Sequence, residues 1–122
     1  MKSDLYSSLT EKINSGNFSS IFILVDENTE KYCLDILLRK TKIDSFSQIN
    51  ISSGESNKNI ESCILIWDQL NSFKADRKSL LINLGGGVLT DIGGFAASTY
   101  LRGISFINCL LYTSPSPRDL HW

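Results

Sequence analysis

Apolar residues along the chain follow two different periods. Leu5, Leu9 and Ile13 recur at i, i+4 and i+8 and predict a short helix over residues 5–14, stopped by Ser15-Gly16-Asn17. Residues 21–25, Ile-Phe-Ile-Leu-Val, are continuously apolar, as a strand buried on both faces reads. A helix is expected over residues 30–40, with Leu34, Leu37 and Leu38 on one face, and a short strand over 48–51. Ser52 to Lys58 is polar, with Gly54 as its turn residue. The clearest amphipathic helix spans 59–73, where Ile60, Cys63, Ile64, Trp67 and Leu70 fall at i, i+3, i+4, i+7 and i+10. Trp67 reads as core within it. A strand over 80–83, a helix over about 89–101 ended by Gly103, and a strand that starts with residues 104–107 complete the pattern. This β-α order, with connections too long for hairpins, predicts an α/β fold: a Rossmann-like parallel sheet with flanking helices and right-handed crossovers.

Composition narrows the class. With 122 residues there is room for one small domain, and 42% hydrophobic content with a net charge of −1 reads as globular and soluble. The twelve Lys and Arg are dispersed, so nothing suggests nucleic acid as a partner. The N-terminus lacks the apolar core of a signal peptide, and no apolar run approaches the ~20 residues of a membrane span, so the expected compartment is the cytoplasm. Cys33 and Cys63 form no C-x-x-C pair and read as buried free thiols.

Candidate chemistry concentrates in residues 82–102, INLGGGVLTDIGGFAASTYLR. A buried strand runs into Gly85-Gly86-Gly87 and then into a helix. Glycine tolerates positive φ and lets a backbone approach a ligand, and the helix start offers unpaired N–H groups that suit a phosphate. The alternative is a turn whose glycines serve only close strand–helix packing. At the end of the strand over 21–25, Asp26 or Asn28 caps the next helix, or accepts hydrogen bonds from ribose hydroxyls. Glu55 and Lys58, three apart, face one another in a first helical turn, which by spacing alone reads as a solvated cap.

The stretch LGGGVLTDIGGFAASTYLRGISFIN resembles the glycine-rich segment of 3-dehydroquinate synthase, whose usual form is close to LGGGV-x-G-D-x-x-GFAA-x-x-YLRG; Thr90 stands where that pattern has glycine. Val25-Asp26-Glu27-Asn28, the Gly54-Glu55 to Lys58 spacing and the Ala75-Asp76-Arg77 to Ser79 run are similar as well, so the resemblance covers residues 18–108. It implies the NAD-binding half of a two-domain enzyme of the shikimate pathway, which feeds aromatic amino acid biosynthesis. That family converts 3-deoxy-D-arabino-heptulosonate 7-phosphate to 3-dehydroquinate and phosphate, with NAD consumed and regenerated within one turnover. The implied NAD contacts are Asp26, Asn28, Glu55, Lys58, Gly86, Gly87, Val88 and Asp91. Arg102 is implied in binding substrate phosphate across a homodimer interface; without the family it reads as a surface arginine at a helix C-terminus. The metal, zinc or cobalt, is implied to bind in a missing C-terminal half. Other members of the wider superfamily, sugar-phosphate cyclases and polyol dehydrogenases, remain alternatives, as does a nucleotide-binding fragment without activity.

Residues 109–122 break the pattern. They hold both prolines and the only histidine, and CLLYTSPSPRD resembles a reading frame of a transposase-end sequencing adapter. The expected organisation is a truncated NAD-binding domain over 1–108 and a non-native, poorly packed tail over 109–122, inactive by itself as an enzyme.

Overall fold

The four expected strands all form, in a computed structural model that describes residues 2–52 and 60–110, the first four of them by backbone alone. They are β1 (Ser20–Val25), β2 (Ser47–Asn50), β3 (Ser79–Gly85) and β4 (Ser105–Leu110). Every pairing is parallel, and the order is β2-β1-β3-β4. This confirms the α/β class. The central position of β1 and β3 explains their unbroken apolar runs: a strand with helices on both faces has no polar side. All seven residues of β3 are buried.

Among the described residues five α-helices cover the sheet: α1 (Lys2–Gly16), α2 (Glu27–Tyr32), α3 (Leu34–Thr41), α4 (Ile60–Ser72) and α5 (Gly87–Thr99). Alternation along the strands sends side chains to two cores. Phe22, Leu24, Ile49 and Leu81 pack with Ile66, Leu70, Leu89, Ile92 and Ala96 of α4 and α5. Ile23, Val25, Leu80, Ile82 and Leu84 pack with Leu9, Leu34 and Leu37 of α1 and α3. Each such fully buried side chain stabilises the fold by about 1.5–3 kcal/mol relative to exposure. Among the described residues no helix is long and apolar enough to cross a membrane.

Three expectations need correction. The helix expected over 30–40 is two helices. Asp26 caps α2, which begins at Glu27, and the chain breaks at Cys33 (φ −121°, ψ −32°) before α3. The break lets α3 turn Leu34 and Leu37 into the core, whereas only Thr29 of α2 is buried. In α4 the buried face is Ser62, Cys63, Ile66 and Leu70, while Ile60 and Ile64 are 56% and 45% exposed. Trp67 is half-buried against the core, and its Nε1–H reaches the Ala96 carbonyl (3.1 Å) and Thr99 Oγ1 (3.2 Å). Its link to α5 sets which side of α4 faces inward. Finally, β4 does not end at Asn108: Cys109 is fully buried opposite Leu84, and Leu110 pairs with Gly85. The first two residues set apart as a tail therefore complete a strand; residues 111–122 lie outside the described residues.

Candidate functional site

Strand order creates the site. From β1 the chain moves to β2 on one side, then returns to β3 on the other, so the direction of winding reverses between β1 and β3. In an open parallel sheet the segments leaving such a pair diverge, and the crevice at their carboxyl ends is where ligands bind. Leu24 lies opposite Asn83, so Asp26, just past β1, and Gly85, the last residue of β3, lie at the same end of the sheet.

On the β3 side, Gly86 is the N-cap of α5 with φ −86° and ψ −171°, and no side chain caps the helix. Thr90 N–H donates to the Gly86 carbonyl at 3.0 Å, closing the first helical turn. The N–H groups of Gly87, Val88 and Leu89 precede that bond and have no acceptor within the helix. The three glycines differ in cause. A β-carbon on Gly85 would press on Leu89 from 3.0 Å, so Gly85 serves packing. A β-carbon on Gly86 or Gly87 would meet nothing within 4 Å. Among the described residues Gly103 alone of the glycines has positive φ, so the positive-φ rationale for this turn does not hold. Neither backbone conformation nor internal packing requires glycine at 86 and 87. What their bareness preserves is open space directly over the free N–H groups of a helix start, a shape and polarity that fit an anionic phosphate. Val88 is 36% exposed at the same helix end, and Asp91 is exposed one turn later. Thr90 is buried and donates from Oγ1 to the Gly87 carbonyl (3.1 Å), so the residue that departs from the family's glycine is absorbed inside the first turn.

On the β1 side, Asp26 is a helix cap. Its Oδ1 accepts from the N–H groups of Asn28 and Thr29, each at 2.9 Å, and Thr29 Oγ1 accepts from Asp26 N–H at 3.0 Å. Oδ2 makes no hydrogen bond among the described residues, so capping leaves one carboxylate oxygen at the crevice. Asn28 is exposed in the first turn of α2. Glu30, read from sequence only as a helix residue, accepts from Gln48 Nε2 and Asn50 Nδ2, both at 2.8 Å, and so ties α2 to the edge strand β2. Amide side chains two apart on one strand face a carboxylate here, a relationship that only the pairing of α2 with β2 reveals.

The structure thus brings Asp26, Asn28, Gly86, Gly87, Val88 and Asp91 to one end of the sheet. Arg102 is not with them. The thirteen residues of α5 run from the carboxyl end of β3 back to the amino end of β4, about 20 Å at 1.5 Å per residue. Arg102 sits at that far end, exposed. Glu55 and Lys58 lie outside the described residues. Among those described, no group of three or more His, Cys, Asp or Glu side chains can hold a metal ion. The cysteines are free thiols with raised pKa values: burial lifts Cys63 and carries Cys109 up to about 11, and burial together with the Asp26 carboxylate lifts Cys33. None is an activated nucleophile.

Residues 48–113 match the 3-dehydroquinate synthase N-terminal family. A 3-dehydroquinate synthase of Parabacteroides distasonis is 39% identical over 105 residues, covering 86% of this chain and 30% of that protein. The chain therefore spans about 30% of the length of such relatives. Among solved structures, 2-deoxy-scyllo-inosose synthase, complexed with carbaglucose-6-phosphate, NAD+ and Co2+, superposes with a TM-score of 0.76 over 87% of this chain and 30% of its own, at 19% identity. The 2-epi-5-epi-valiolone synthase of Streptomyces hygroscopicus, with NAD+ and Zn2+ bound, gives 0.64 at 29% identity, over 75% of this chain and 26% of its own.

Proposed function

The chain belongs to the 3-dehydroquinate synthase family, and from that premise we propose that it forms the dinucleotide-binding part of a 3-dehydroquinate synthase. The observation that carries this reading is the bare pair Gly86 and Gly87, whose β-carbons would enter open space over the uncapped start of α5. That cradle fits the pyrophosphate of NAD. The N–H groups of Gly87, Val88 and Leu89 hold the phosphate oxygens, and Asp26 Oδ2 accepts from a ribose hydroxyl while Oδ1 stays in the cap. Asn28, Asp91, Glu55 and Lys58 complete the contacts.

NAD held by these residues would supply reversible hydride transfer with a substrate alcohol, which suits the conversion of 3-deoxy-D-arabino-heptulosonate 7-phosphate to 3-dehydroquinate and phosphate, redox-neutral overall. This chain's residues orient that cofactor and do not supply its chemistry. The divalent metal, zinc or cobalt, has no ligand set among the described residues and belongs to the part of the synthase beyond this chain. Arg102 binds substrate phosphate through the bidentate geometry of its guanidinium. The resemblance puts that contact across a homodimer interface, and the place of Arg102 about 20 Å from the glycine turn, one length of α5, supports the reading.

The testing experiment joins residues 1–108 to the remaining two thirds of the Parabacteroides distasonis relative. This fused synthase should release phosphate from the heptulosonate substrate and form 3-dehydroquinate. The second reading is another sugar-phosphate cyclase, favoured by the 29% likeness to the valiolone synthase. Cyclisation of a different sugar phosphate in place of the heptulosonate would select it.

A further inference from the structure

We propose that the left-handed turn at Leu101 and Arg102, held by the residues that flank it, preorganises the arginine for the phosphate of the substrate. The proposal rests on the reading of Arg102 as a phosphate ligand.

Among the described residues, Asn17, Lys42, Lys74, Leu101 and Arg102 are the non-glycine residues with positive φ. The first three occur singly, just beyond α1, α3 and α4, in the left-handed position that commonly ends a helix. Leu101 (φ 49°) and Arg102 (φ 69°) are consecutive, and Gly103 follows at φ 108°. Gly103 N–H donates to the Tyr100 carbonyl at 2.7 Å, so Leu101 and Arg102 are the two central residues of a turn with positive φ at both. Such type I′ turns select Asn and Gly, which tolerate that conformation. Leucine has no polar side chain to compensate, and Leu101 is 46% exposed, so burial does not demand it either.

The neighbours impose the conformation. Tyr100 packs against the core formed with α4 and α5. Ile104 is buried, and its N–H donates to the Ala97 carbonyl at 2.9 Å. Trp67 holds the last turn of α5 through Ala96 and Thr99. Between these anchors the chain must reverse from α5 into β4 across Leu101, Arg102 and Gly103. A β-carbon on Gly103 would lie 3.3 Å from the Ser98 carbonyl, so the arch has no room to relax on that side. Strain of this kind persists only where the surroundings over-determine it. Its consequence is that the Arg102 backbone is fixed before any ligand arrives. Arg102 is exposed and makes no ion pair with the described residues, so the guanidinium is available. A fixed backbone leaves less freedom to lose on binding an anion.

The test is steady-state kinetics and thermal melting of the fused synthase with Leu101→Gly, Leu101→Asn and Arg102→Ala. Leu101→Gly relaxes the arch and should raise KM for the heptulosonate phosphate about threefold to tenfold, the scale of one newly mobile side chain, with kcat and Tm retained. Leu101→Asn, which suits the turn, should keep the parental KM. If Arg102→Ala leaves KM unchanged, the phosphate reading falls and this proposal with it. If Arg102→Ala raises KM but Leu101→Gly does not, or if Leu101→Asn is as defective as Leu101→Gly, the arch assignment alone is overturned.

Discussion

Asn83 and Gly93 share one space. Asn83 is fully buried in β3, and a β-carbon on Gly93 of α5 would overlap its Oδ1 and Cγ. The asparagine donates from Nδ2 to Asn108 Oδ1 at 3.0 Å, while its own buried Oδ1 has no hydrogen-bond partner. The pair sets how closely α5 approaches the strand that leads into the glycine turn. Gly93→Ala in the fused synthase should therefore destabilise by about 1–3 kcal/mol, as overpacking does. In an Asn83→Ala background the same change should cost less, the remaining cost being the approach of the new β-carbon to the buried Leu24 Cδ2 at 2.8 Å. Denaturant unfolding of both singles and the double decides it; additive effects would mean the two residues do not compete for this space.

Gly87→Val separates ligand binding from folding. The new side chain enters open space, so Tm should hold, but it fills the approach to the α5 N–H groups. NAD affinity should fall at least tenfold, about 1.4 kcal/mol or more. Calorimetric titration of parent and variant with NAD checks this. Equal affinities would reduce the turn to a packing device.

Asp26 carries two roles that one substitution can split. Asp26→Ser keeps a hydroxyl acceptor for the N–H groups of Asn28 and Thr29, so stability should stay near the parent, while the free carboxylate oxygen is lost. Asp26→Ala removes the cap as well, at about 1 kcal/mol. NAD binding should weaken in both. A serine variant that binds NAD like the parent would leave Asp26 with capping alone.

Cys109 makes a prediction about pH in the 122-residue chain. Burial favours its neutral thiol, raising the folded pKa from 9.0 to about 11. A raised thiol pKa contributes stability that is fully present below the unfolded value and is lost as pH rises through the folded one. The contribution should be flat up to about pH 9 and disappear between 9 and 11, and Cys109→Ala should flatten that part of the stability profile. Alkylation of Cys109 at neutral pH should be slow for the same reason. Fast labelling there would contradict the burial of the β4 end.

Local pattern alone identified the strands around Ile21–Val25 and Leu80–Asn83, because continuous apolar runs have few other uses in a chain this size. It singled out the glycine stretch as a candidate phosphate cradle but left a packing turn equally open; the resemblance of the contiguous string to the family favoured the first. Helix faces and breaks were less legible. The spacing of Ile60 and Ile64 matched a buried stripe as well as Ile66 did, and the choice fell to the neighbour that Trp67 binds on α5. The break at Cys33 depended on where α3 had to dock, not on the intervening residues. The separation of Arg102 from the glycine turn was legible, because the helix expected over about 89–101 carries the chain back across the sheet between them. Strand order was hidden. That β3 lies beside β1 opposite β2, and so opens a crevice between Asp26 and Gly86, is a non-local fact. Propensity and periodicity decide what each segment becomes; which segments meet is set by the joint burial of faces that no single segment contains.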